Sequence, residues 1–336
     1  MTMDRLGKPS VSVILPVRNE SRHLARCLES IIASDYPPGD FEILVVDGMS
    51  EDETRTIAES FRTAHPKLRV IDNPRRIVST ALNLGIREAE GKTIIRVDGH
   101  GKIAPNFIRT CVETLENVPE AGCVGGHMEA EGETLIGRSI AEAQSSFFGG
   151  GGGAWYRARK AGYVDTVPNG AYRRSVFDVV GLFDETLVRD QDDEFNYRLR
   201  EAGYKIYFNP GIRNVYYARS SLVKLASQYF QYGFWKVRVF KQRARVIQPR
   251  QLAPPLFAAA IALLLAASWV SPAAGLALQF VCGLYVTLSL AASVVLGMRK
   301  GWKMIFVLPL AFGAMHLGYG FGFWAGALYF AAKKGA

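Results

Sequence analysis

"VSVILPVRNESRHLARCLESII", Val11 to Ile32, holds the unit from which the fold is read. Val11–Leu15 is short, aliphatic and β-branched, and closes at Pro16, which predicts a buried strand. Asn19 then stands where a helix cap would, and Leu24, Leu28 and Ile31 recur at helical spacing. A strand that passes through a polar turn into a helix is the building block of an α/β fold.

The unit repeats along the chain. Phe41–Val46 predicts a second strand that stops at Asp47-Gly48, and Ser50 with Glu53 has the spacing of a capping box. Leu68–Ile71 is a third strand, Ala81–Ala89 a helix stopped by Gly91, and Thr93–Val97 a fourth strand. A helix near Asn106–Leu115 leads to an apolar strand at Cys123–Gly125. Such alternation predicts a mostly parallel sheet covered by helices. Ligands of these sheets sit beyond the carboxyl ends of the strands. The polar segments "PVRNE", "DGMSEDET" and "DGH" fall there. No G-x-G-x-x-G follows the first strand and no G-x-x-x-x-G-K-[ST] occurs, which argues against a dehydrogenase and a P-loop enzyme.

The chain has 336 residues, 49% hydrophobic, and a net charge of +9. Charges recur every few residues up to about Gln251 and almost vanish from Leu252 to Phe330. Three apolar runs, Leu256–Val270, Ala273–Leu296 and Met304–Phe330, predict a C-terminal α-helical membrane region of about three helices. Three regions follow: an α/β domain over 1–220, a basic aromatic interfacial helix over 221–251, and membrane helices over 252–336. Basic residues between Lys224 and Arg250, with Arg299, Lys300 and Lys303, put those flanks on the cytoplasmic side, against anionic lipid rather than nucleic acid. Lys333 and Lys334 fit less well if the third run crosses fully, so a re-entrant third segment is the alternative. "MTMDRLGKPS" has no apolar stretch, so no signal peptide is expected. Cys27, Cys111, Cys123 and Cys282 form no close pairs, and reduced thiols are expected.

"VSVILPVRNE", "ILVVDGMSEDET", "ALNLGIREAEGKTIIRVDGH", "NGAYRRSVFDVVGLFDE" and "QDDEFNYRLREAGYKIYFNP", in that order, resemble the blocks of the family-2 inverting glycosyltransferases. Adding "QYFQYGFWKVRV", the chain is similar to the membrane-attached glucosyltransferases of succinoglycan-type exopolysaccharide assembly. The resemblance implies a GT-A nucleotide-sugar fold, a UDP-sugar donor with glucose as best guess, and a β-linkage to a polyprenyl-diphosphate-linked oligosaccharide. It also implies a bacterial inner-membrane enzyme working beside other exopolysaccharide assembly enzymes. Transfer to a polyprenyl phosphate, or a catalytically weak scaffold that binds nucleotide sugar, are the alternatives.

By the same resemblance, Pro16, Val17, Asn19 and Glu20 line the nucleoside pocket, and Asp47 accepts from the uracil N–H. Arg76 and Asn83, with Arg75, border the nucleotide, unless the arginines are simply solvated. Asp98 and His100 match the D-x-D metal motif. Histidine at its second position favours Mn²⁺ over Mg²⁺, because hard Mg²⁺ prefers oxygen ligands; a structural histidine is the other reading. Gly170, Tyr172 and Arg173 match the acceptor side, and Trp155, in the glycine-rich loop or spacer Phe147–Arg157, either stacks on a sugar or belongs to the core.

An inverting transfer needs one carboxylate to take the acceptor proton. "RDQDDEFNYRLR" offers Asp190, Asp192, Asp193 and Glu194. Phe195, Leu199 and Ala202 form a stripe with Asp192 one turn before it, while Glu194 can pair with Arg198. The family's usual Glu-Asp pair aligns with Gln191-Asp192, so Asp192 is the expected catalytic base. "QYFQY" at Gln228–Tyr232 lacks the arginine and tryptophan of processive synthases, which favours addition of a single sugar. Tyr229, Phe230, Phe234 and Trp235 read as an interfacial face toward lipid.

Overall fold

β1 (Val11–Val17) is buried at every position but Pro16. Helix α1 (Leu24–Ile32) follows and buries Leu24, Cys27, Leu28 and Ile31, the expected stripe with Cys27 added. The alternation continues through β2 (Phe41–Asp47), α2 (Thr54–Ser60), β3 (Leu68–Asp72), α3 (Val78–Glu88) and β4 (Thr93–Arg96). β1 pairs in parallel with β2 and β4, and β2 with β3. The computed structural model describes residues 9–150, 158–242 and 249–333. It divides into two compact units, residues 1–129 with 154–216, and residues 130–153 with 217–336.

The first strand runs through Pro16 instead of closing at it. The Ile14 carbonyl accepts from Val97 N on the β4 side, and the Val17 carbonyl accepts from Gly48 N on the β2 side. Alternate residues face the same neighbour, so Pro16 faces the β4 side, where pairing has ended at Arg96. Its missing N–H therefore leaves no ladder bond unmade.

The chain goes on through β5 (Gly101–Ile103), α4 (Phe107–Asn117) and β6 (Ala121–Glu131), then α5 (Leu135–Ser145) and α6 (Phe147–Gly150). It returns with β7 (Gly162–Val164), β8 (Ala171–Arg173), α7 (Ser175–Val180), α8 (Gln191–Glu201) and β9 (Lys205–Tyr217). Among the described residues the sheet has nine strands, in the order β3-β2-β1-β4-β8-β6-β9-β5, with β7 on β9. The expected parallel order holds from β3 to β4. Beyond it β8 is antiparallel to β4 and β6, and β9 to β5 and β7, so the sheet is mixed.

Two helix starts differ from expectation. α1 begins after His23 rather than under an Asn19 cap, and α2 begins after Glu53 with no side-chain cap. Asn19 and Ser50 are used instead to stitch two loops together: Asn19 Oδ1 accepts from Glu51 N, and Asn19 N donates to Ser50 Oγ, both at 2.9 Å.

The second unit contains α9 (Leu222–Gln242), α10 (Pro249–Ser268), α11 (Pro272–Lys300) and α12 (Leu308–Ala332). α10 and α11 are long and apolar enough to cross a membrane, and few of their residues are buried. Leu263, Leu276 and Phe280 along them, and Trp269 and Val270 in the turn between, are largely exposed. The expected boundary near residue 220 misses one piece. Ile140 and Ala143 of α5 bury against Leu225 of α9 and Leu308, Ala311 and Phe312 of α12, so residues 130–153 belong with the C-terminal helices.

α12 also differs from a plain apolar span. A Cβ on Gly318, Gly322 or Gly326 would meet the carbonyl of Ala226, Phe230 or Phe234 on α9, at 2.8, 2.0 and 2.5 Å. Three glycines one turn apart thus let two backbones touch, as at close-packed membrane helices. Phe234 and Trp235, read as facing lipid, pack on Phe330 of α12 at ring separations of 5.2 and 5.9 Å. Gly322→Ala is expected to force the seam open at a cost of about 1–3 kcal/mol, read as a thermal midpoint several degrees lower in detergent. An unchanged midpoint would contradict the contact.

Candidate active site

The carboxyl ends of β1 to β4 carry the polar segments, and the backbone there is strained. Among the described residues, five non-glycines have left-handed φ: Asn19 (53°), Met49 (56°), Arg76 (59°), Asn169 (46°) and Asp190 (59°). Asn19, Met49 and Arg76 follow β1, β2 and β3 in turn. Asn169 precedes β8 beside Arg96, since Gly170 O accepts from Arg96 N at 3.1 Å, and Asp190 precedes α8. Each such residue costs roughly 1–2 kcal/mol, and strain of this kind gathers at functional loops.

Arg96, at the end of β4, stands at the centre. Its Nε and Nη2 both lie 3.0 Å from Asp98 Oδ1, and its Nη1 lies 3.7 Å from Asp192 Oδ2. The arginine side chain is only 16% exposed, against 25% for Asp98 and 44% for Asp192. Burial works against the charge on Arg96, but Asp98 and Asp192 outweigh it and raise its pKa. Burial likewise pushes the Asp98 carboxyl up, yet Arg96, then His100 and Arg189, hold it below its ordinary value. One buried guanidinium therefore keeps Asp98 charged and draws two carboxylates from distant parts of the chain together.

His100 turns its Nδ1 to Glu20 Oε1 at 3.0 Å, and its ring meets the Tyr216 ring edge-on at 5.0 Å. Behind them Cys27 Sγ donates to the Asp98 carbonyl at 3.6 Å. Burial first, and then the Asp98 charge, push that thiol up to about 12, so it is a protonated packing group. Among the described residues no three His, Cys, Asp or Glu side chains are arranged to hold a metal.

Asp47 is buried at the end of β2, with Oδ1 accepting from Ser50 Oγ at 2.5 Å and from Ser50 N at 3.2 Å. Arg55 approaches Oδ2 at 3.8 Å. Asp52 serves the loop and the helix start, accepting from Ser21 N and from Thr54 N and Oγ1. Desolvation raises its carboxyl, but hydrogen bonds from Thr54 and Ser21 outweigh this and hold it at about 2. Arg76 crosses to Glu51 at 3.6 Å, and Arg75 pairs with Glu185 at 2.5 Å.

Pro16, Val17, Asn19, Glu20, Asp47, Arg76, Asp98, His100, Gly170 and Asp192 thus lie on these carboxyl-end loops or beside Arg96. Asn83 and Arg173 do not, and Tyr172 lies beneath the site in the core. Asn83 gives its amide to Phe183 O and Glu185 Oε1 and accepts from Phe183 N, each at 2.9 Å, which pins residues 183–185 onto α3. Tyr172 is buried against Phe177 and Phe195 beneath α8, with Arg96 and Asp192 within electrostatic reach of its hydroxyl. Arg173 pairs in register with Thr93, at the amino end of β4, and donates to Ala121 O at 3.0 Å and to Leu115 O and Val118 O at the end of α4. Trp155 lies outside the described residues.

In α8, Phe195 and Leu199 are buried as expected, and Glu194 and Arg198 form two bonds of 2.8 Å. Ala202 is exposed at the helix end, and Asp192 faces Arg96, with Oδ2 3.7 Å from Nη1. Sequence reasoning missed Arg96, Arg189 and Tyr216. Arg96 had a signal: a lone charge inside "TIIRV" has to find a partner if the strand is buried.

A mixed sheet that gathers acids and a histidine beyond its parallel strands is the arrangement of GT-A glycosyltransferases. The chain belongs to glycosyl transferase family 2, whose sequence model matches residues 12–181. It is 30% identical to the succinoglycan biosynthesis protein ExoA of Rhizobium meliloti (strain 1021), over 98% of both chains. It is 31% identical to the dolichyl N-acetyl-alpha-D-glucosaminyl phosphate 3-beta-D-2,3-diacetamido-2,3-dideoxy-beta-D-glucuronosyltransferase of Methanococcus voltae, over 66% of this chain and 71% of that one. In fold it is similar to the mannosyltransferase PcManGT of Pyrobaculum calidifontis, solved with GDP-Man and Mn²⁺. That match has a TM-score of 0.61 at 21% identity and covers 93% of this chain and 87% of that one. The protein is a glycosyltransferase.

Proposed function

We propose that the chain moves one sugar, glucose in β-linkage, from a UDP-sugar to a polyprenyl-diphosphate-linked oligosaccharide of a bacterial exopolysaccharide, with inversion. The observation that supports the reading is the Asp98–Arg96–Asp192 link, which joins the acid read as donor-side to the acid read as the base. The full-length likeness to a succinoglycan biosynthesis protein supports the exopolysaccharide role.

Asp192 takes the proton of the acceptor hydroxyl as that oxygen attacks the anomeric carbon, and the nucleoside diphosphate leaves from the opposite face. Arg96 fixes the Asp192 carboxylate, and Asp47 receives the base of the nucleotide. Asp98, through the Oδ2 that Arg96 leaves, and His100 suit a divalent cation completed by diphosphate oxygens, with Mn²⁺ preferred to Mg²⁺ because one donor is an imidazole. When bound, that cation supplies positive charge to the departing diphosphate.

α10 and α11 serve as membrane spans. The basic stretch before α10 and Arg299-Lys300 at the end of α11 then share one side, which fits a catalytic unit on the cytoplasmic face of the inner membrane. The lipid-phosphate acceptor in the name of the archaeal relative favours a second reading, a sugar or lipid carried on a single phosphate.

The test uses the full chain in lipid nanodiscs with UDP-glucose, UDP-galactose, UDP-N-acetylglucosamine or GDP-mannose. Acceptors are a polyprenyl-diphosphate sugar, a polyprenyl-phosphate sugar and polyprenyl phosphate, and the product anomer is read by NMR. Transfer from UDP-glucose to the diphosphate-linked sugar with a β-product is expected. An α-product, or transfer from GDP-mannose alone, would overturn the reading.

A further inference from the structure

Glu20 is expected from the sequence to touch the nucleoside, yet its carboxylate is committed elsewhere. Oε1 lies 3.0 Å from His100 Nδ1, and both side chains are 17% exposed. The residue is anchored along its backbone as well. Glu20 N donates to Thr54 Oγ1 at 2.7 Å, and Glu20 O accepts from His23 N and Leu24 N at 3.0 Å, starting α1. Tyr216 flanks the imidazole from a third part of the chain, with rings at 71°. The histidine is thus held at its Nδ1 edge and against its ring by elements that cannot easily shift.

Proton bookkeeping sets the rest. A carboxylate only accepts, so Nδ1 carries the hydrogen, which leaves Nε2 as the nitrogen whose lone pair a metal ion can take. Among the described residues nothing bonds to Nε2. A histidine that gives one N–H to a carboxylate and leaves the other nitrogen bare is the arrangement that orients metal-ligating histidines and raises their basicity.

We propose that Glu20 is a positioning residue for His100, fixing the Nδ1–H tautomer so that Nε2 ligates a divalent cation held together with the nucleoside diphosphate. The inference rests on the transferase reading for the diphosphate alone. It also reassigns Glu20 from the nucleoside to the metal side of the site, and it gives the proposed preference for Mn²⁺ over Mg²⁺ a structural cause, an oriented imidazole nitrogen.

The test is Mn²⁺ binding, followed by electron paramagnetic resonance on the full-length protein in detergent, with and without UDP. In the wild type, Mn²⁺ binding strengthened by UDP and a nitrogen coupling in the spin-echo signal are expected, the coupling being absent in His100→Ala. Glu20→Ala is expected to weaken Mn²⁺ binding about 30-fold, within the 10–100-fold typical of such partners, while UDP affinity without metal changes less than about threefold. Glu20→Gln preserves the side-chain shape and accepts the proton more weakly, so a smaller loss is expected; it also covers the case in which the alanine variant does not fold.

Wild-type affinity for Mn²⁺ in both Glu20 variants would overturn the positioning role. A wild type that transfers sugar but has no nitrogen coupling would overturn ligation by His100 and leave the transferase intact. A protein that binds no UDP would remove the transferase reading and this inference with it.

Discussion

Asp192→Asn is expected to lower kcat by about 10³-fold, within the 10²–10⁴ that general bases supply, and to leave the affinity for UDP within about threefold. Asparagine has nearly the same shape but cannot take a proton from the acceptor hydroxyl. The side chain is 44% exposed and lies in the first turn of α8, so its loss leaves no buried gap. Its contact with Arg96 is long, at 3.7 Å, and Arg96 keeps the tighter pair with Asp98. The fold therefore stays, and the loss falls on chemistry rather than on donor binding. Single-turnover rates beside UDP titration measure both. Asp193→Asn, one residue on, is the control and should stay within severalfold of the wild type. Equal losses in the two would contradict the assignment of the base.

Arg96→Met carries the second large effect, because it damages both stability and catalysis. Removing the guanidinium leaves Asp98 without its closest partner inside the sheet. Breaking a buried pair costs about 3–5 kcal/mol; with a quarter of the Asp98 side chain exposed, about 2 kcal/mol is a fair expectation. The sign with pH follows from the folded Asp98 carboxyl lying below its ordinary value. Its pairing stabilises fully above the unfolded carboxylate pKa of about 3.9 and fades as pH falls through the folded value. The gap in thermal midpoint between wild type and variant should thus be widest near neutral pH and close in acid. Activity should fall by about 10²-fold, since the base loses the group that fixes it. Arg96→Lys keeps the charge but lacks the planar fork that reaches both acids, so it should recover stability better than rate. A variant as active as the wild type would show that the two carboxylates work independently.

Much of this was written locally. Strand and helix alternation, the Asp98-x-His100 spacing, the Glu194–Arg198 pair and the buried Phe195–Leu199 face all depend on neighbours within a few residues, and each can be read from the chain. The misses are long-range. Asn83 and Arg173 look like site residues in their segments, but Asn83 answers to Phe183 and Glu185, and Arg173 to carbonyls at the end of α4. The Glu20–His100 pair spans 80 positions, with nothing in either segment pointing to the other. The antiparallel half of the sheet rests on β8 and β9, whose partners lie far away in sequence. "GYGFGFWAG" did carry a visible sign, glycines at one-turn spacing, but inside an apolar run it passes for part of a membrane span.

The most direct measurement is release of nucleoside diphosphate by the full-length protein in lipid nanodiscs with Mn²⁺ and UDP-glucose, with and without lipid-linked acceptor, for the wild type and Asp192→Asn. Release that depends on the acceptor and falls about 10³-fold in the variant is the expected result. Release at the same rate without acceptor, or undiminished in Asp192→Asn, would contradict a transferase whose base is Asp192.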